Sequence, residues 1–205
     1  MVLRHRRHWI FDLDGTLTVA QHDFDGIRTA LGLPEGEPIL EAIARLDSAR
    51  RAATTARLDA IEFDLARVAA PQPGVARLLE TLRVHGHGVA VLTRNSEANA
   101  AETLRSAGLD RLVDASFVIG RESAPPKPDA AGVRLLLTRL GGTPDAAVVV
   151  GDYRYDLEAG RAAGTATVLF DPSGAFRWPD LADACVRSFD ELLAMLVRVG
   201  RDPAA

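Results

Sequence analysis

From Trp9 to Phe170 the chain alternates short apolar runs with longer stretches of helical period, and this alternation limits the possible folds more than any other feature. The runs Trp9-Ile10-Phe11, Val89–Leu92, Ala147–Val150 and Thr165–Phe170 have strand length, and their unbroken apolar character predicts burial on both faces, as in a parallel sheet. Helices are predicted between them, at about 75–84, 96–107, 129–140 and 154–163. A short strand is expected near 117–119, and a last strand and helix over about 185–199. Right-handed crossovers turn this pattern into an α/β fold, a doubly wound, Rossmann-like parallel sheet.

Between Thr18 and Pro73 the pattern is helical only. Phe24, Ile27 and Leu31 precede a Gly32-Leu33-Pro34 stop, and Ile39, Ile43 and Leu46 recur at helical spacing, as do Leu58, Ile61, Leu65 and Val68. The reading is a catalytic core of 1–17 and 74–205 with a small helical cap, 18–73, inserted after the first strand. The flanks Thr18-Val19-Ala20 and Ala70-Pro71-Gln72-Pro73-Gly74 read as two neighbouring linkers on which the cap could hinge.

Sheets of this kind bind ligands beyond the carboxyl ends of their strands, and Asp12, Thr93 and Asp152 each follow a predicted strand at that edge. In Trp9-Ile10-Phe11-Asp12-Leu13-Asp14-Gly15-Thr16-Leu17-Thr18, side chains two apart point the same way, so Asp12 and Asp14 can share one site. Carboxylates that close repel each other, and a hard divalent ion with oxygen ligands completes the arrangement; Mg2+ is the expected ion. Asp156 lies one helical turn beyond Asp152, placed to support a metal through water or to pair with a cation. Of the 24 basic side chains one is lysine, Lys127, set between two prolines. Its compact ammonium suits an anion held by several groups at once.

Four stretches, Asp12-Leu13-Asp14-Gly15, Val91-Leu92-Thr93-Arg94-Asn95, Pro126-Lys127-Pro128 and Gly151-Asp152-Tyr153-Arg154-Tyr155-Asp156, follow one another in an order that resembles the haloacid dehalogenase superfamily. The helical insertion resembles the caps of its phosphoglycolate phosphatase-like members. The resemblance implies a Mg2+-dependent phosphatase acting on a small phosphorylated metabolite through an aspartyl-phosphate. It implies Asp12 as nucleophile and Asp14 as general acid and then base. Asp12, Asp152 and the Asp14 carbonyl would hold the metal, with Asp156 behind them. Thr93, Arg94, Asn95 and Lys127 would bind the phosphoryl group. Arg94 departs from the asparagine common at its position, and Lys127-Pro128-Asp129-Ala130 lacks a frequent second proline, which bears on substrate contacts more than on chemistry.

Neighbouring chemistries are sorted by the same residues. A dehalogenase has no need of Asp14, a phosphonatase needs a cap lysine that 18–73 lacks, and a receiver domain has neither Asp14 nor a cap. A phosphomutase and a non-catalytic phosphometabolite binder remain as alternatives. A net charge of −4 argues against a nucleic-acid partner, and no apolar run has membrane-spanning length. A single cysteine, Cys185, fits the cytoplasm, and the expected state is monomer or homodimer. Arg4-His5-Arg6-Arg7-His8 reads as a solvated lead-in. Arg50, Arg51 and Arg57 of the cap read as a solvated face, as does Arg154 beside the site; His85 and His87 read as turn residues rather than metal ligands.

Overall fold

A computed structural model describes residue 3 and residues 5–197. Six strands, β1 (His8–Phe11), β2 (Gly88–Leu92), β3 (Val118–Ile119), β4 (Ala147–Gly151), β5 (Ala166–Phe170) and β6 (Ala184–Val186), form one parallel sheet in the order β3-β2-β1-β4-β5-β6. This is the doubly wound α/β architecture, and its direction of winding reverses between β1 and β4. The expected strand near 117–119 contracts to two residues.

The sheet is buried on both sides because its strands alternate between two apolar layers. Trp9, Phe11, Val91, Val150 and Phe170 face α4 (Val75–Val84), α5 (Glu97–Ser106) and α8 (Phe189–Val197). Ile10, Leu92 and Val149 face α6 (Ala131–Arg139) and α7 (Arg154–Ala163). The last helix was expected to run to about Val199, which lies outside the described residues.

Three further helices, α1 (Phe24–Leu31), α2 (Ile39–Ala44) and α3 (Ser48–Ala66), pack around a separate cluster of Ile27, Leu31, Leu33, Ala42, Ile43 and Leu58. Asp23 and Asp47 cap α1 and α3 by accepting from the Gly26 and Arg50 amides, and α1 stops at Gly32 in the left-handed region. The chain enters and leaves this helical group side by side: Val19 N–H donates to Ala70 O at 2.9 Å, and Gln72 N–H to Leu17 O at 2.9 Å.

Two sequence expectations change here. Val68, placed on the apolar stripe of α3, lies beyond the helix end and is 64% exposed. The basic lead-in is docked rather than wholly solvated: Leu3 is buried, Arg7 N–H donates to Ala146 O, and Arg6 reaches the carbonyls of Pro144 and Asp145. Arg4 of that segment lies outside the described residues. Among the described residues no helix is long and apolar enough to cross a membrane.

Candidate active site

Register sets the site. Phe11 pairs with Val91 on one side and Val150 on the other, so Asp12 emerges level with the ends of β2 and β4, at the reversal of winding. Its amide donates to Val150 O at 2.9 Å, which extends the sheet by one residue before the chain turns away. The turn is closed by Gly15 N–H to Thr18 O at 3.0 Å and Thr18 N–H to Leu13 O at 3.0 Å. Gly15 has a φ of 95°, and a Cβ there would lie 2.5 Å from Asp152 Oδ2. A side chain at 15 would therefore meet both backbone strain and the carboxylate from β4.

Asp12, Asp152 and Asp156 each offer a carboxylate oxygen, and these atoms all lie within 4.8 Å of one another. Lys127 opposes them: its Nζ is 2.5 Å from Asp12 Oδ1, 2.6 Å from Asp156 Oδ1 and 2.7 Å from Leu92 O, with the side chain 3% exposed. Burial works against the Lys127 ammonium, but Asp12 and Asp156 outweigh it and raise the pKa, so the lysine stays charged. Asp156 is pushed up to about 6, chiefly by burial, with Lys127 opposing. Asp152 is pushed up to about 8 by burial and then by the charges of Asp12 and Asp156. Three acids facing one ammonium leave uncompensated negative charge among oxygen donors, which fits a hard divalent cation.

Asp156 has both oxygens engaged, one on Lys127 and the other accepting Tyr153 N–H at 3.0 Å at the start of α7. Asp152 is not that helix's cap; its Oδ1 accepts from the Thr16 hydroxyl at 2.9 Å. Asp14 lies outside the three-acid cluster, in the cavity that α1, α2 and α3 help to line, and burial raises its pKa; His22 pulls it down, Asp12 pushes it up, and Asn95 Nδ2 donates to it at 3.4 Å.

Thr93 is buried at the end of β2, and its Oγ1 accepts from Asn95 N–H at 3.0 Å, which leaves the hydroxyl proton free to donate. The backbone amides that follow are engaged within the chain, Asn95 N–H with Thr93 Oγ1 and Ser96 N–H with Asn95 Oδ1, while Ser96 caps α5. Arg94 crosses to the helical group, where its Nη2 meets Glu41 at 2.6 and 2.9 Å; Nη1 donates to Lys127 O, and the guanidinium sits 5.0 Å from the Tyr155 ring centroid.

A cavity of about 380 Å³ lies between the helical group and this edge of the sheet. Asp12, Asp14, Thr93, Arg94, Asn95, Lys127, Asp152 and Asp156 line it on the sheet side, and Phe24, Ile39, Leu40 and Leu58 on the other. Arg50, Arg51 and Arg57 are outside the lining and exposed, and Arg154 is exposed and paired with Glu158. His87 Nδ1 accepts from Trp9 Nε1, and His85 Nδ1 is 2.8 Å from Thr81 O.

Sequence reasoning missed Thr16, Glu41 and the half-buried network in which Arg121 joins Asp59 and Glu62 of α3, with Glu62 pushed up to about 7 by burial against the pull of Arg121. Thr16 stands within the first motif and was open to notice. Glu41 and Arg121 carry no local signal, because their partners are set by packing.

Sheet order, carboxylate cluster and buried ammonium bring all four sequence motifs to one edge of a doubly wound sheet. The chain belongs to the haloacid dehalogenase-like hydrolases, whose family profile matches residues 7–164. It is 31% identical to a phosphoglycolate phosphatase of Rhodospirillum rubrum, over 91% of this chain and 88% of that one. It is 26% identical to an uncharacterised hydrolase of Saccharomyces cerevisiae, over 98% and 95% of the two chains. Among solved structures, a hydrolase from Pseudomonas syringae superposes with a TM-score of 0.72 at 20% identity, covering 94% of this chain and 98% of that one.

Proposed function

We propose that the protein hydrolyses a small phosphomonoester in two steps, with Asp12 as the phosphorylated group and Mg2+ as cofactor. The observation that carries this is Lys127, buried and bonded at once to Asp12 and Asp156, facing a cluster with room for a second cation. Asp12, Asp152 and the Asp14 carbonyl would hold Mg2+, while Asp156, with both oxygens already used, keeps Lys127 in place. The ion would screen the charge of the phosphoryl oxygens.

In the first step the Asp12 oxygen not bound to Lys127 attacks phosphorus, the ester P–O bond breaks, and Asp14 gives its proton to the departing alcohol. Burial favours the protonated Asp14 that this requires. The Thr93 hydroxyl donates to a phosphoryl oxygen, and the Lys127 charge, held beside Asp12, offsets the charge that moves onto the group. In the second step water attacks the same phosphorus, Asp14 takes the water proton, and the bond to Asp12 breaks to release phosphate.

The phosphoglycolate phosphatase relative supports a small substrate, and the cap helices over the cavity favour one that fits beneath them. A cytoplasmic monomer or homodimer, acting on a phosphorylated metabolite, accords with one cysteine and a net charge of −4. The test is phosphate release from a panel of phosphorylated metabolites with Mg2+ or EDTA, for wild type and Asp12→Asn. Metal-dependent release that disappears in the variant is expected; no release from any compound by folded, Mg2+-supplied protein overturns the proposal.

A further inference from the structure

Among the described residues three Phe, Tyr or Trp side chains are exposed, Phe24, Phe63 and Tyr153. Two of them line the cavity, Phe24 at 56% exposure from the helical group and Tyr153 at 46% from the sheet side, and the chemistry derived above uses neither. Tyr153 is braced: its ring centroid is 5.0 Å from that of Tyr155 and 4.8 Å from that of Trp178, with the planes steeply crossed at 76° and 71°. Trp178 arrives on the loop after β5. Asp171 ties that loop down by accepting from the Ser173 and Phe176 amides at 3.0 and 2.7 Å, which holds Phe176 in the left-handed region at a φ of 42°. Phe24 is backed by His22, stacked at 5.5 Å. Rings held in this way lose little freedom when a ligand lies against them.

Printed contacts tie this wall to the reacting centre. Tyr153 follows Asp152 across a single peptide, about 3.8 Å between Cα atoms. Its amide is 3.0 Å from Asp156 Oδ2, the other Asp156 oxygen is 2.6 Å from Lys127 Nζ, and that nitrogen is 2.5 Å from Asp12 Oδ1. We infer that the cavity takes a phosphomonoester whose leaving alcohol carries a planar aromatic ring, with Tyr153 as the specificity-determining residue on the sheet side and Phe24 on the cap. This inference rests on the phosphatase reading of the site and adds the substrate class. A phosphoryl group beside Asp12 leaves the rest of its molecule to lie where the lining turns from charged to apolar, among Phe24, Ile39, Leu40 and Tyr153. The cavity, about 380 Å³, falls within the range of about 300–1,000 Å³ that takes ring-bearing ligands. A saturated leaving group buries apolar area there equally well. A planar ring gains the attraction between aromatic faces and edges in addition.

The test compares benzyl phosphate with cyclohexylmethyl phosphate, which match in carbon skeleton and differ in planarity, and uses 2-hydroxyethyl phosphate as an ester without a ring. Aromatic pairing beyond area burial changes affinity by about two- to tenfold, and wild type is expected to prefer benzyl phosphate by that factor in kcat/KM. Tyr153→Leu keeps apolar bulk and the backbone amide that meets Asp156. It should erase the preference through KM and leave 2-hydroxyethyl phosphate within about twofold of wild type. Tyr153→Phe should retain the preference, and Phe24→Leu should reduce it. Pyridoxal 5′-phosphate and uridine 5′-monophosphate carry the ring one carbon or one ribose from the ester oxygen, and the better substrate of the two tells which spacing the wall fits. Both falling below 2-hydroxyethyl phosphate counts against the inference.

The same comparison is made without turnover, by calorimetric binding of 2-phenylethylphosphonate and 2-cyclohexylethylphosphonate to wild type and Tyr153→Leu protein with Mg2+. These phosphonates have no ester bond to break. Failure of wild type to release phosphate from any ester counts against the phosphatase reading, while the phosphonates still read the ring position. Equal affinity for the two phosphonates, binding of neither, or a Tyr153→Leu shift shared equally by both overturns the inference.

Discussion

Lys127→Met removes the ammonium while keeping an unbranched side chain of similar length, so its effect is mainly electrostatic. The Nζ is 2.5 Å from Asp12 and 2.6 Å from Asp156, with 3% of the side chain exposed. At an effective dielectric of about 20, each such attraction is worth about 6 kcal/mol before desolvation is subtracted. Removing one member of a buried ion pair then destabilises by about 3–5 kcal/mol, because the partner charges are left unpaired. Protonation offers the variant an escape. Burial already holds Asp156 above its unfolded pKa and loss of Lys127 raises it further, so its contribution is full below the unfolded value and is lost as pH rises through the folded one. For one extra proton bound by the folded state the slope is about 1.4 kcal/mol per pH unit. In wild type this escape is smaller, since the Lys127 charge opposes the rise of the Asp156 pKa. Urea unfolding at pH 5.5 and 8.0 without metal should show the variant's deficit at about 3–5 kcal/mol at the higher pH and clearly smaller at the lower. A deficit under about 1 kcal/mol at pH 8.0, or one equal at both pH values, would refute the reasoning.

Gly15→Ala should fold with a loss of about 1–3 kcal/mol and lose most activity, because the new Cβ meets Asp152 at 2.5 Å; a Mg2+ titration showing unchanged activation would contradict this. Asp14→Asn should lower steady-state turnover of p-nitrophenyl phosphate by about 100-fold or more, yet retain a burst of p-nitrophenolate, since that leaving group needs no acid. A stopped-flow trace without a burst would assign Asp14 another role. Asp152 and Glu62, raised to about 8 and about 7, favour the folded state most below their unfolded pKa values and lose that advantage as pH climbs through the folded ones. Thermal melting at pH 5.5 and 8.5 should therefore show a larger Mg2+-induced rise in Tm at the higher pH, where Asp152 no longer needs to shed a proton; equal rises would count against the metal site.

The sheet was legible because both of its faces are buried, which leaves unbroken apolar runs, and because each run ends in a polar residue at the ligand-binding edge. Asp12, Thr93 and Asp152 were found by that logic, and Lys127 by its rarity. The start of α3 was not, since Ser48-Ala49-Arg50-Arg51-Ala52-Ala53-Thr54-Thr55-Ala56-Arg57 has no apolar stripe and owes its helix to the Asp47 cap and to alanine. Val68 continued the spacing of that stripe but fell past the helix end, where periodicity carries no meaning. The engagement of the Asn95 and Ser96 amides was hidden for a different reason: a side chain that could receive a ligand's hydrogen bond can equally accept one from its own backbone, and sequence does not choose between them. The partners of Arg94 and Arg121 depend on how the helical group meets the sheet, which no local pattern encodes.

The pairing of β1 with β4 sets the order in which the enzyme comes into being. Along the chain Asp12 comes first, while Lys127, Asp152 and Asp156 follow more than a hundred residues later. Until β4 arrives, β1 can pair with β2 but presents its other edge bare, a row of unpaired amides and carbonyls open to wrong partners. A nascent or clipped chain ending at β3 therefore carries Asp12 without the ammonium of Lys127 or the carboxylates of Asp152 and Asp156. Its half-built sheet lacks three of the four charged groups that meet at the site, so the charge cluster forms only when the fold closes.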